Sequence, residues 1–312
     1  MGVVAEGERQ FHSLSPNKYR SHTLSISWKV SLHGGHSSAY CDHAHSTLPE
    51  MLDAAVACGY RAFGVSEHAP RLGDRYLYPN ERQLGWSLDT VCEKFEHYAR
   101  DVFALRDAYA DRIQVLCGFE TEGVPHDRYL EIMLGYREKY GFEYMVGSIH
   151  HINDTMIDYD QATFNQLAND LGGIEKLAVR YYEAVAEMVH GLQPEVVGHF
   201  DLIRKCAPSE EAVSTPAIKR VAFRALEHIK AAGSILDINT AGYRKGLGRP
   251  YVAPWILDAA KQLEIPVCFG DDSHCAAEVG AGVDEARQYL IENGFTHVQC
   301  AGVSVPYALV EG

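Results

Sequence analysis

Nothing in this 312-residue sequence is built to cross a membrane, since no apolar run approaches the roughly 20 residues that a spanning helix needs. Cationic charge is also scarce. Lys+Arg 28 against Asp+Glu 42 leaves a net charge of −14, which argues against a broad nucleic-acid or anionic-membrane surface. Cys-x-x-Cys is absent. The eight cysteines are scattered, several of them in apolar runs such as Ile113–Gly118. That pattern suits reduced, buried thiols and a cytoplasmic setting. No Gly-x-Gly-x-x-Gly opens the first β-to-α turn, so a dinucleotide fold has no support. No internal repeat, low-complexity tract or Pro/Gly/Ser-rich linker marks a domain boundary. Residues 1–24 lack the hydrophobic segment of a signal peptide and read as a polar extension to a single domain over 25–312.

What the chain does have is histidine, 16 in all. His33, His36, His43 and His45 crowd one stretch, Ser31–Ser46, whose glycines Gly34 and Gly35 will not hold a regular helix. The preceding Ser25–Leu32 alternates and carries β-branched and aromatic residues, so it reads as a strand. The histidines are therefore expected on a loop just past a strand end.

Downstream, a short apolar run, a polar or glycine-rich loop and an amphipathic stretch recur. Helices are expected over Thr47–Cys58 with Thr47 as N-cap, Leu88 to about Ala110, Tyr129–Tyr140, Ile174–His190, Pro216–Ala232, Pro254–Leu263 and Val283–Asn293. Strands are expected over Ala62–Val65, Ile113–Cys117, Tyr144–Ser148, Glu195–Gly198, Ser234–Ile238 and Ile265–Phe269, with a terminal one around Thr296–Ala301. Arg71–Gly85 reads as a long loop. Alternating units imply parallel strands with helical crossovers, and about seven of them favour a closed (β/α) barrel over an open sheet.

Almost every strand carries a His, Asp or Glu just beyond its C-terminal end, where such folds place their chemistry. Collected, these are His33, His36, His43, Glu67, His68, Glu120, Glu122, His150, His151, His199, Asp201, Asp272 and His274. A single strand-end histidine is more often a hydrogen-bonded loop residue than a ligand, and Asp272–His274 has the look of an ordinary helix N-cap region. Glu67 and His45 are candidates for orienting an imidazole. Taken together, so many donors require a common site. Imidazole plus carboxylate suits Zn²⁺, Mn²⁺ or Fe²⁺. The donors are too many for one ion, so two or three are expected, with a carboxylate such as Glu120 bridging. Such a cluster polarises phosphoryl oxygens and lowers the pKa of bound water.

The successive motifs His33-Gly-Gly-His36…Cys41-Asp-His43-Ala, Ser66-Glu-His68-Ala-Pro, Gly118-Phe-Glu120, Gly147-Ser-Ile-His150-His151, Gly198-His199-Phe-Asp-Leu and Gly270-Asp-Asp272-Ser-His274 resemble those of the PHP (polymerase and histidinol phosphatase) superfamily, its histidinol-phosphate phosphatase branch in particular. The likeness runs from about Ser31 to Ala277. It implies a distorted, TIM-like (β/α)₇ barrel of the α/β class with three divalent metal ions. His33, His36, Glu120 and Asp272 would hold the first, Glu120, His150 and His199 the second, and His43, His68 and His274 the third. The family usually has His-x-His at its first motif, where this chain has one residue more.

The same resemblance implies hydrolysis of L-histidinol phosphate, a small phosphate monoester, in histidine biosynthesis. Arg244 and the Arg204-Lys205 pair are candidate phosphate contacts, Arg for its bidentate geometry. Asp158, Asp160 and Glu122 are candidates for the cationic end of histidinol, and Asp158 also for the acid that protonates the leaving group. Two rivals are a related hydrolase acting on nucleotides or DNA ends and a metal-binding domain with a decayed site. The charge of −14 and the lack of a basic aromatic groove weigh against a polynucleotide substrate.

Overall fold

The computed structural model describes residues 28–304 and 306–310. The expected alternation appears as β1 (Val30–Gly35), α1 (Leu48–Ala57), β2 (Ala62–His68), α2 (Pro79–Gln83), α3 (Leu88–Ala108), β3 (Gln114–Glu120), α4 (Tyr129–Tyr140) and β4 (Tyr144–Gly147). A small hairpin of β5 (His151–Ile152) and β6 (Thr155–Met156) leads into α5 (Gln161–Asp170) and α6 (Ile174–Leu192). The chain then runs through β7 (Val196–Val197), α7 (Pro216–Ala232), β8 (Ile235–Asn239), the single turn α8 (Ala241–Arg244), α9 (Pro254–Gln262), β9 (Val267–Ser273) and α10 (Val283–Glu292). It ends in a ribbon of β10 (His297–Val298) and β11 (Tyr307–Ala308).

Seven parallel strands close into a barrel in the order β1-β2-β3-β4-β7-β8-β9, with β9 pairing back onto β1. This is the expected (β/α)₇ architecture. The crossovers are helical because parallel neighbours need a connection of a dozen or more residues. α6 shows how the sequence seats them. Leu177, Ala178, Tyr181, Val185, Met188, Val189 and Leu192 recur at helical spacing and are all buried. Thr47 caps α1 as expected, its backbone N–H donating to Glu50 Oε2 at 2.7 Å while its hydroxyl accepts from Glu50 N.

Several expectations need correction. The first strand begins at Val30 and runs on through His33 to Gly35; Ser25–Ser27 and the extension 1–24 lie outside the described residues. His33 is therefore on a strand, not on a loop beyond it. Likewise β2 reaches His68, β3 reaches Glu120 and β9 reaches Ser273. The apolar run stops earlier in each case, because the last inward positions of the barrel carry polar donors. The terminal strand pairs with β11 in a separate antiparallel ribbon. Residues 71–85 hold a 3₁₀ turn at Asp74–Tyr76 and the short α2.

The additional glycine of His33-Gly-Gly-His36 is absorbed by an irregular register. Ser31 pairs with Phe269, His33 with Gly270 and Gly35 with Ser273, so the two strands advance unequally between these points. Gly35 has φ 127, and a Cβ there would lie 2.0 Å from Ser273 O. Only glycine permits that approach. The bulge ends with His36 N donating to Ser273 O at 2.8 Å.

Candidate metal centre

Glu120, the last residue of β3, is 1% exposed and is where the barrel's strand ends converge. Its Oε1 lies 3.1 Å from His199 Nε2, 3.5 Å from His150 Nε2 and 3.5 Å from His33 Nε2. Its Oε2 lies 3.0 Å from His68 Nδ1 and 3.5 Å from His36 Nε2. Asp272 Oδ1 completes the group, 3.5 Å from His36 Nε2 and 3.9 Å from His33 Nε2. Two donor atoms on one tetrahedral zinc at about 2.1 Å each stand about 3.4 Å apart. These gaps fit atoms that share cations. His33 Nε2, both ring nitrogens of His36 and His68 Nδ1 are buried with no well-formed hydrogen bond among the described residues. Orphaned imidazole nitrogens of this kind need a partner, and a divalent ion satisfies several at once.

His33, His36, His68, Glu120, His150, His199 and Asp272 are thus brought together. His274 and His43 form a rim on one side. His36 stacks on His68 with ring centroids 4.0 Å apart, His274 lies 4.7 Å from His36, and His43 lies 4.7 Å from His274. Oxygen and nitrogen donors dominate, the set that suits divalent metal. Cys41 is an addition the sequence reading left out of the cluster. Its sulfur lies 3.3 Å from His43 Nδ1, within a potential donor group of Cys41, His43 and His274.

Electrostatics point the same way. Burial pushes the His33 imidazole down, but Glu120 and Asp272 outweigh it and hold the pKa well above the usual value. Burial likewise opposes charge on His150, yet Glu120 and Glu122 raise it to about 9. Burial drives Glu120 up, and the surrounding His33, His150 and His68 bring it well below the normal carboxylate range. The carboxylates make a strongly negative field, and the field that retains protons on these rings favours divalent cations among them.

A layer of partners fixes the rings. Asp237, buried in the apolar run of β8, places Oδ2 at 3.0 Å from His33 Nδ1 and accepts from His199 N at 3.3 Å. It was missed because one acid within Ile-Leu-Asp-Ile-Asn looks like a strand interruption. Glu67 accepts from Ser37 N at 2.6 Å and lies 3.6 Å from His36 Nδ1. Arg71, Tyr78 and Glu81 were also missed. Arg71 is 2% exposed, grips both oxygens of Glu81 and reaches Glu122 Oε1 at 3.3 Å. Tyr78 donates to Glu122 at 2.6 Å and lies under the Arg71 guanidinium.

That network corrects the expectation for Glu122. It is fully buried and spans His68 at 3.3 Å and His150 at 3.4 Å, so it orients imidazoles and does not face a substrate. Asp160 is the N-cap of α5, accepting from Thr163 N at 2.8 Å. Arg204 is buried and donates to Asp201 Oδ2 at 2.6 Å, so it is held within the fold and is not a phosphate contact. His151 is buried, and desolvation lowers it to about 4, which keeps the ring neutral.

A cavity of about 470 Å³ opens over the cluster, within the usual range for small-molecule sites. Asp158, Lys205 and Arg244 line it, alongside His45, Tyr78 and Tyr251. Lys205 Nζ donates to Asp158 Oδ2 at 3.1 Å. Burial raises the Asp158 carboxyl, but Lys205 and His150 more than reverse this and hold it below its ordinary value. Its pairing with Lys205 favours the carboxylate over the acid form expected to protonate the leaving group. Arg244 is braced by Nη2 donating to Asp271 O at 2.5 Å and Asp272 O at 2.9 Å, while its buried Nη1 has no partner among the described residues.

The sequence profile of the PHP domain matches residues 33–241. A probable histidinol-phosphatase of Schizosaccharomyces pombe is 30% identical over 265 residues, spanning 84% of this chain and 86% of the relative. The histidinol-phosphatase of Saccharomyces cerevisiae is 26% identical over 83% of this chain and 88% of its own. Among solved structures, the histidinol phosphate phosphatase of Lactococcus lactis, complexed with zinc, L-histidinol and phosphate, superposes with TM-score 0.67 at 19% identity, covering 87% of this chain and 95% of that one.

Proposed function

The chain belongs to the PHP domain family, and we propose that it is a metal-dependent phosphomonoesterase that hydrolyses L-histidinol phosphate to L-histidinol and phosphate. The observation that carries this reading is Glu120, with five imidazoles from four strand ends within 3.0 to 3.5 Å of its oxygens beneath an open cavity. The spanning relatives named histidinol-phosphatase support the substrate.

Three divalent ions fit the donor set. His33, His36, Glu120 and Asp272 would hold one, Glu120, His150 and His199 a second, and His43, His68 and His274 a third. Zinc is the first ion to test, being suited to these donors and the ion in the Lactococcus structure. When bound, the ions lower the pKa of a water and neutralise phosphoryl charge.

The chain's own residues do the rest. The oxygen of water joins phosphorus, the ester P–O bond breaks, and the proton given up by that water ends on the departing histidinol oxygen. Arg244 presents Nη1 to the phosphoryl oxygens, held rigid by the carbonyls that accept from Nη2. Lys205 supplies a second positive charge at the cavity wall. Asp158, ionised beside it, accepts the ammonium of histidinol. Glu122 and Asp237 keep the imidazoles in their orientations.

The test is metal analysis of the purified protein with a panel of histidinol phosphate, nucleoside monophosphates and a phosphodiester. Two or more divalent ions per chain and preferential hydrolysis of histidinol phosphate are expected. Preference for a nucleotide would support the alternative of a related PHP phosphoesterase. The control is His199→Ala, which should remain folded with turnover reduced at least a hundredfold; undiminished turnover would defeat the site assignment.

A further inference from the structure

Tyr251 lines the cavity, is 1% exposed, and has a buried hydroxyl with no hydrogen-bond partner among the described residues. The contrast with two other tyrosines is plain. Tyr60 donates to Asp271 at 2.6 Å, and Tyr78 donates to Glu122 at 2.6 Å. A buried hydroxyl left unpaired is unfavourable, and phenylalanine would fill the same volume without that penalty. The Tyr182 hydroxyl on α6 is also buried without a partner among the described residues, but of the two only Tyr251 lines the cavity, where a ligand can satisfy its oxygen.

The ring is also fixed in place. Tyr251 N donates to Asn239 O at 2.9 Å and Asn239 N donates to Tyr251 O at 2.8 Å, tying the residue to the end of β8. Asn239 in turn reaches Asp237 at 3.0 Å and Asp272 at 3.4 Å through Nδ2. From the other side, a Cβ on Gly242 of α8 would lie 2.5 Å from Arg249 O and 2.8 Å from Tyr251 N, so the segment has no room to withdraw. The phenol ring meets the His199 imidazole edge-on at 6.1 Å. Its neighbours in the cavity wall include Lys205 and Arg244.

On the premise of the phosphatase reading, we propose that Tyr251 is a substrate-contacting residue whose hydroxyl donates a hydrogen bond to a non-bridging phosphoryl oxygen of the bound monoester. The ring abuts one of the imidazoles gathered on Glu120, which is where phosphorus must sit. A neutral hydroxyl adds a donor there without adding charge. The phosphoryl group then receives Arg244, Lys205 and Tyr251 from separate segments, a fixed fork that leaves Asp158 for the ammonium end.

The experiment is Tyr251→Phe in the full-length, metal-loaded protein. Kinetics on histidinol phosphate, inhibition by inorganic phosphate and by L-histidinol, metal content and thermal midpoint are measured together. Expected are unchanged metal content, an unchanged or raised midpoint, an unchanged inhibition constant for L-histidinol, and roughly ten- to a hundredfold losses in kcat/KM and phosphate affinity. Wild-type phosphate affinity and kcat/KM in the variant would overturn the proposal. So would weakened L-histidinol inhibition with phosphate affinity intact, or a fall in midpoint or metal content, which would mark the hydroxyl as a structural group. Failure of the wild-type protein to hydrolyse histidinol phosphate would sink the parent reading alone, since phosphate affinity still decides what the hydroxyl touches.

Discussion

At the scale of single residues, function here depends on atoms that hold other atoms still. Asp237 is the clearest case. One oxygen serves His33 Nδ1, His199 N and Asn239 Nδ2 at 3.0 to 3.3 Å, so a single carboxylate ties the His33 ring on β1 to the backbone just after β7. Asp237→Asn keeps the shape and removes the charge. Its fold should survive, and its affinity for divalent metal should fall about 10- to 100-fold. Competition against a chelator of known affinity measures this; wild-type affinity would mean that the ring orientations are set elsewhere. Some residue-level readings were open in the sequence and some were not. His199 and Glu120 were visible because they follow apolar runs. Arg71 and Tyr78 were not, since nothing in a stretch with the look of a loop tells which side chain folds back under the cluster.

At the scale of elements, the contact between β1 and β9 closes the barrel and also sets the first two imidazoles. In a regular strand, residues three apart point to opposite faces, so His33 and His36 could not both face Glu120 without an irregularity. The uneven register supplies it, and Gly35 permits it by sitting at φ 127 against Ser273. Gly35→Ala should destabilise the protein by more than about 3 kcal/mol, combining backbone strain with a clash in the barrel wall. Urea unfolding checks the stability and metal analysis the site. A variant with normal stability would show that the bulge can relax. Strand length is the other lesson at this scale. For β2, β3 and β9 the sequence placed the strand end at the last apolar residue, three or four positions early, because there the hydrogen-bond ladder outlasts the hydrophobic run and polar donors occupy the difference.

At the scale of the whole molecule, the barrel gathers negative charge at one end and depends on cations to balance it. The candidate donors come from β1, β2, β3 and β9 and from the segments that follow β1, β4, β7 and β9, so ions held among them would bridge most of the barrel. Removing them with a strong chelator should abolish turnover and lower the thermal midpoint by several degrees. A stabilisation of about 2.7 kcal/mol is expected with free ion at about 100 times its dissociation constant. Calorimetry before and after chelation, with recovery on adding zinc or manganese, tests this; an unchanged midpoint would argue that the cluster contributes nothing to folding.

The sequence by itself determined the alternation of strands and helices, the barrel class, and which imidazoles and carboxylates stand at the strand ends. These follow from local pattern, since periodicity and burial are properties of neighbouring residues. Only the tertiary structure decided that Glu122 and Arg204 are tied up within the fold, that Asp158 pairs with Lys205, that Asp237 holds the His33 ring and the His199 backbone, and that the additional glycine is taken up in a bulge. Each of those depends on a partner tens or hundreds of residues away, and the chemistry of a buried charge is set by what closes around it.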